Sequence, residues 1–221
     1  MPAIDFSRVK AISLDLDETL WPIMPTIIRA EQLTNEWIAA NAPSVTAKFD
    51  NKAMRALREQ LQAEDPIRKI DLLKARRDTL LHAFADCGEV SDKALQALDV
   101  FVQARQVVTL FDDALAFLDA IAARFPVAAL SNGFADVHVV GIGKYFKTSV
   151  SAHIVGIAKP DRRIFDITAQ ALGVANDAVL HIGDDFELDV QGALAAGMQA
   201  YHVSRPEQDL AKFTEQFKVH L

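Results

Sequence analysis

The sequence predicts an α/β fold: a doubly wound parallel sheet, interrupted after its first strand by an inserted all-α helical bundle. Three observations carry this. Short apolar runs alternate with amphipathic helical segments through the C-terminal half, the pattern of a parallel sheet covered by helices. One similar run, Val9 to Leu16, stands alone near the N-terminus. Between them, from about Pro22 to Val107, strand signal is absent and good helix formers dominate. Charge divides the same way. That stretch holds 12 basic and 12 acidic residues, so the whole net charge of −7 lies outside it. The sheet domain is expected from residues 1–20 and 108–221, the helical domain from 21–107.

In chain order, VKAISLDL reads as a buried strand ending in acidic residues. Four helices of roughly 15–20 residues follow, with breaks at Pro43-Ser44, Asp65-Pro66 and Gly88 to Ser91. Leu73, Leu80, Leu81 and Phe84 share one helical face. Phe111, Leu115, Leu118 and Ala122 do the same in the next helix. Pro126 to Leu130 is a strand, Ser149 to Val155 a weaker one, and Arg162 to Leu172 a helix stopped by Gly173. Ala178 to Ile182 is a strand, Leu188 to Ala196 a helix stopped by Gly197, and Gln199 to Val203 the last strand.

Composition narrows the function. At 221 residues, 51% hydrophobic and 24% charged, the chain suits one compact domain with a sizeable insert and does not suit disorder. Cys87 is the one cysteine, so an intrachain disulfide is excluded. No apolar run approaches the ~18 residues of a membrane span, and MPAIDFSRVK lacks a signal-peptide pattern. A cytoplasmic location without membrane partners is expected. The acidic charge argues against nucleic-acid binding. The histidines lack zinc spacing, and His181 reads as a core residue.

In an open α/β sheet ligands sit beyond the carboxyl ends of the strands. There the first strand runs into Asp15-Leu16-Asp17-Glu18-Thr19, and the second into Ser131-Asn132-Gly133. The third leads to Lys159-Pro160, and the fourth to Gly183-Asp184-Asp185 with Asp189 one turn on. Asp15 and Asp17, two apart on extended chain, are expected to point the same way. Five carboxylates against one lysine make a costly surplus of negative charge. A divalent cation relieves it, and oxygen donors without a His/Cys cluster select Mg²⁺.

The ordered set DLDET, SNG, KP and GDDFELD resembles the haloacid dehalogenase superfamily of phosphohydrolases, and the insert lies where that superfamily places its helical cap. DLDETLWP, HIGDDFELDVQGALAAGMQA and LLKARRDTLLHAF look like its bacterial branch acting on FMN and the riboflavin precursor 5-amino-6-(5-phosphoribitylamino)uracil. The resemblance implies a Rossmann-like core and an Mg²⁺-dependent phosphatase of a small phosphorylated metabolite. An aspartyl-phosphate would split one hard step into two easier ones. Asp15 would be the nucleophile, and Asp17 the acid and then the base. Ser131, Asn132 and Lys159 would hold the phosphoryl group. Asp15, Asp17, Asp184 and Asp185 would bind the metal, and Thr19, Gly133 and Asp189 would support the site.

The alternatives are a sugar-phosphate phosphatase, a phosphomutase, a 2-haloacid dehalogenase and a non-catalytic phospho-Asp binding module. Asp17 disfavours the dehalogenase, because departing halide needs no proton. The order of Lys159 and the later acidic pair disfavours the binding module. The cap is expected to close over the sheet. Its basic cluster Arg68, Lys69, Lys74, Arg76 and Arg77 would meet an anion or simply face solvent. Trp21 and Trp37 are candidates to stack on an aromatic substrate, with cap–core packing the favoured reading for Trp37. A homodimer is neither required nor excluded.

Overall fold

The computed structural model describes residues 3–205 and 210–219. The chain divides into two compact units, residues 1–22 with 109–221, and residues 23–108. It opens with β1, Ala11–Leu14, whose four small or apolar residues are all buried, as a central parallel strand requires.

The second unit follows: α1 (Ile23–Asn41), α2 (Pro43–Lys48), α3 (Asn51–Glu64), α4 (Ile67–Ile70), α5 (Leu72–Asp86) and α6 (Ser91–Arg105). Four long helices match the expected number, and two short ones fill the breaks. The boundaries have local causes. Asp50 accepts the Ala53 N–H at 2.7 Å and starts α3, and Asp71 accepts the Lys74 N–H at 2.7 Å and starts α5. Pro43 begins α2, where its missing N–H is harmless. Ile38, Val45, Leu80, Phe84 and Leu98 centre the core of this unit. Trp37 is half-buried and packs against that same core.

The basic cluster divides. Arg68 donates to Asp78 at 2.8 Å, and Lys74 and Arg77 approach the same carboxylate. Burial pulls the Asp78 pKa up, but Lys74 and Arg68 outweigh it and leave the group below its ordinary value. A depressed folded pKa adds stability above the unfolded value of ~3.9 and loses it as pH falls through the folded one. Asp78→Asn is therefore expected to lower stability at neutral pH by about 0.5–1 kcal/mol, the range of a largely screened pair. In urea melts the gap to the parent closes in strong acid.

After α7 (Ala114–Ala122) the chain alternates. The strands are β2 (Val127–Ser131), β3 (Thr148–Ser151), β4 (Val179–Gly183) and β5 (Gln199–His202). The intervening helices are α8 (Val137–Val140), α9 (Ala152–Val155), α10 (Arg162–Leu172) and α11 (Gly192–Ala195), and α12 (Leu210–Val219) closes the fold. Every pairing is parallel and the order is β3-β2-β1-β4-β5, the expected doubly wound sheet. Gly173 ends α10 at φ 82°, left-handed backbone that glycine adopts without a Cβ penalty.

Several elements differ from the sequence reading, among them the short α8, which it does not contain. The third strand stops at Ser151 and turns into α9. The helix expected over 188–196 starts earlier, as a π-helical turn at Phe186–Gln191, before α11. α12 has no counterpart in the expectation; its buried Leu210, Phe213 and Phe217 pack it down, with Phe213 edge-on to Phe117. Among the described residues no helix is long and apolar enough to cross a membrane.

Candidate active site

β1 lies between β2 and β4, so the carboxyl ends of these three strands form one rim. The register pairs Leu14 with Ala129 and with Ile182, which sets Asp15 level with Leu130 and Gly183. Asp15 is buried, and its N–H donates to the Ile182 carbonyl at 2.9 Å. Lys159 reaches it from the loop before α10. Its Nζ donates to Asp15 Oδ1 at 2.6 Å and to Asp189 Oδ1 at 2.5 Å, and it is only 4% exposed.

Asn132 fixes that loop. Its Nδ2 donates to the Lys159 carbonyl at 3.0 Å, and its Oδ1 accepts the Lys159 N–H at 2.8 Å. The side chain expected to bind phosphate is thus engaged with backbone, and positions the lysine.

Asp189 is held from below. Its Oδ2 accepts the Asp185 N–H at 3.0 Å, and His181 Nε2 lies 3.1 Å from Oδ1. His181 Nδ1 lies 2.7 Å from Ser13 Oγ, its register partner on β1. A carboxylate only accepts, so the neutral ring donates through Nε2 and accepts from Ser13 through Nδ1. Burial, which lowers the His181 pKa against the pull of Asp189, keeps the ring neutral. His181 is in the core as expected, but as part of a polar chain: Ser13, His181, Asp189, Lys159, Asp15.

The electrostatics are those of crowded, dry charge. Burial raises the Asp15 pKa well above the ordinary carboxylate value; Lys159 opposes this and Asp189 adds to it. Burial disfavours charge on Lys159, but Asp15 and Asp189 outweigh it and raise that pKa. Burial likewise works against charged Asp189, yet Lys159 and His181 hold it below the usual range. Asp184 is pushed up to about 6 by burial and by Asp189, against a hydrogen bond from Thr19 at 3.1 Å.

Asp15, Asp184 and Asp189 each offer a carboxylate oxygen, all within 4.8 Å of one another. Three carboxylates against one ammonium leave two surplus negative charges. That surplus and an oxygen-only donor set fit a hard divalent cation.

The other expected residues fall around this centre. Glu18 has a left-handed φ of 58°, and its N–H donates to the Trp21 carbonyl at 2.8 Å. The tight loop brings Trp21 Nε1 to Asp17 Oδ1 at 2.8 Å, so Asp17 lies beside the triad and not within it. Trp21 is fully buried, which rules out the expected stacking on a substrate. Asp185, expected on the metal, is exposed and caps the π-helical turn through the N–H groups of Glu187 and Leu188. Ser131 lies one residue past the level of Asp15, and its Oγ accepts the Gly133 N–H at 2.9 Å. The hydroxyl proton stays available to a ligand. A Cβ at Gly183 would collide with the Asp189 carboxylate, so close approach requires glycine there.

A family model described as haloacid dehalogenase-like hydrolase matches residues 9–197. The chain is 30% identical over 204 residues to the 5-amino-6-(5-phospho-D-ribitylamino)uracil phosphatase YigB of Escherichia coli (strain K12), covering 90% of this chain and 85% of that protein. It is 32% identical over 136 residues to a phosphoserine phosphatase of Thermus thermophilus, covering 59% and 55%. A solved 2-haloacid dehalogenase from Pseudomonas syringae pv. tomato DC3000 matches with a TM-score of 0.88 at 30% identity, covering 96% of this chain and 100% of that one.

Proposed function

The chain belongs to the haloacid dehalogenase-like hydrolases, and we propose that it is an Mg²⁺-dependent phosphatase of small phosphorylated metabolites. The observation that carries this reading is the buried Asp15–Lys159 pair beside the Asp184–Asp189 carboxylates, with a second acid, Asp17, two residues on.

Lys159 holds Oδ1 of Asp15 and leaves Oδ2, 3.5 Å from the Thr19 hydroxyl, to attack phosphorus. The new O–P bond forms an aspartyl-phosphate as the ester P–O bond breaks, and Asp17 gives its proton to the departing oxygen. Asp17, now a carboxylate, takes a proton from water. That water attacks phosphorus, releases inorganic phosphate and restores Asp15. Ser131 and Lys159 bind the phosphoryl oxygens throughout. Asp15 and Asp184, with Asp189 adjoining, would hold Mg²⁺, which supplies charge neutralisation at those oxygens when bound. Asp189 acts mainly by fixing Lys159.

The substrate class follows from the relative spanning most of the chain, named for a ribitylaminouracil phosphate. In this reading the ester is of that flavin-precursor type or FMN, and the inserted helical unit selects it.

Dehalogenation is the second reading, favoured by the likeness to the Pseudomonas syringae structure. Asp17 speaks against it, since a leaving halide needs no proton. A panel of p-nitrophenyl phosphate, FMN, the ribityl uracil phosphate, a sugar phosphate and 2-chloropropionate decides. Phosphate release that needs Mg²⁺, falling on the order of 10²–10⁴-fold in Asp17→Asn, is expected. Chloride release without phosphate release overturns the proposal. Poor turnover of both flavin-type esters overturns the substrate alone.

A further inference from the structure

The helical unit has a cavity of its own, about 50 Å³, between α1, α3 and α5. Three guanidinium groups edge it: Arg55 and Arg58 from α3 and Arg76 from α5. Of the basic residues singled out in the α4–α5 segment, Arg76 alone lines this space. One carboxylate, Glu31 of α1, lines the same space.

Arg76 is preorganised. Its Nη2 donates to Glu31 Oε1 at 3.1 Å, and its guanidinium lies 3.4 Å over the Phe101 ring. Arg58 approaches the same Glu31 oxygen at 4.0 Å. Among the described residues no carboxylate pairs with Arg55. Glu31 therefore serves two of the three cations, the exposed Arg55 has no such partner, and the set carries two surplus positive charges. Burial and the neighbouring Arg58 push the Arg76 pKa down to about 10 even with Glu31 beside it. The place lacks negative charge, the reverse of the aspartate rim.

Its size indicates what completes it. A water needs roughly 10–15 Å³ of such volume, so the cavity takes about three to five water-sized atoms. That is the bulk of a tetrahedral oxyanion, and planar guanidinium forks are the side chains best matched to one.

We propose that the helical unit binds a small oxyanion of phosphate size and charge on Arg55, Arg58 and Arg76. The site shares no residue with the aspartate centre, and it stands or falls separately from phosphoryl transfer at Asp15. Free phosphate and the oxyanion end of a metabolite share this chemistry.

The test follows the arginine Nε–H NMR signals of the full chain during titration with inorganic phosphate, and separately with methylphosphonate. Sodium chloride of equal ionic strength is the control. The Arg55, Arg58 and Arg76 signals are expected to shift saturably, and tighter binding of methylphosphonate would identify the metabolite end. Arg58→Gln weakens binding about tenfold or more, the worth of a charge-assisted hydrogen bond, and Arg55→Gln acts in the same direction. Shifts that chloride reproduces, or equal affinity in the parent and in both variants, overturn the proposal.

Discussion

Asp15→Asn is expected to remove turnover by on the order of 10⁴-fold or more, while the chain remains folded. The amide keeps the shape and still accepts from Lys159, but it has no charge with which to attack phosphorus. Stability is expected to change little, within about 1 kcal/mol. The Asp15 pKa is raised mainly by burial, so ionised Asp15 is itself an expensive group, and Asp189 still pairs with Lys159 when it is gone. Phosphate-release assays and thermal melts on the same preparation check both halves. Turnover within about tenfold of the parent would show that another group is the nucleophile.

Lys159→Met has the opposite balance: a large structural loss together with the loss of activity. Asp15 and Asp189 both bond the ammonium, and neither is more than 7% exposed. Without the cation two buried carboxylates face each other, and breaking a buried ion pair from one side costs about 3–5 kcal/mol. The double variant Asp15→Asn/Lys159→Met is expected to recover part of that, because one of the stranded anions is gone. Urea melts of the parent, the two single variants and the double one give the coupling directly. Independent, additive losses would mean that the chain from Ser13 to Asp15 does not work as one unit.

The strand–helix alternation and the helical insert were legible because each depends on local periodicity. Asp15, Lys159 and Asp184 were legible because strand ends in such a sheet share a rim. What escaped depends on cross-strand register or on irregular backbone. Ser13 and His181 are far apart in sequence and meet only because β1 and β4 align them. Two-residue spacing keeps Asp17 near enough to act on the charge of Asp15, but it does not show that the left-handed Glu18 turns the loop so that Trp21 donates to Asp17, outside the carboxylate triad. Sequence places Asp185 on the metal behind Asp184, but it does not show the π-helical turn that uses Asp185 as a cap and brings Asp189 to the centre. α12 was missed although Leu210, Phe213 and Phe217 fall at helical spacing, the signal that would have found it.

The placement of β1 at the middle of the sheet has a consequence for biosynthesis. Asp15 leaves the ribosome well before Lys159, Asp184 and Asp189, with the whole helical insert synthesised between them. Both neighbours of β1 follow the entire insert, so this apolar strand waits unpaired while the six helices of the insert are made. Non-local pairing of that kind is slow to form and exposed to aggregation meanwhile. Until β2 and β4 arrive, β1 depends on whatever shields its two unpaired edges.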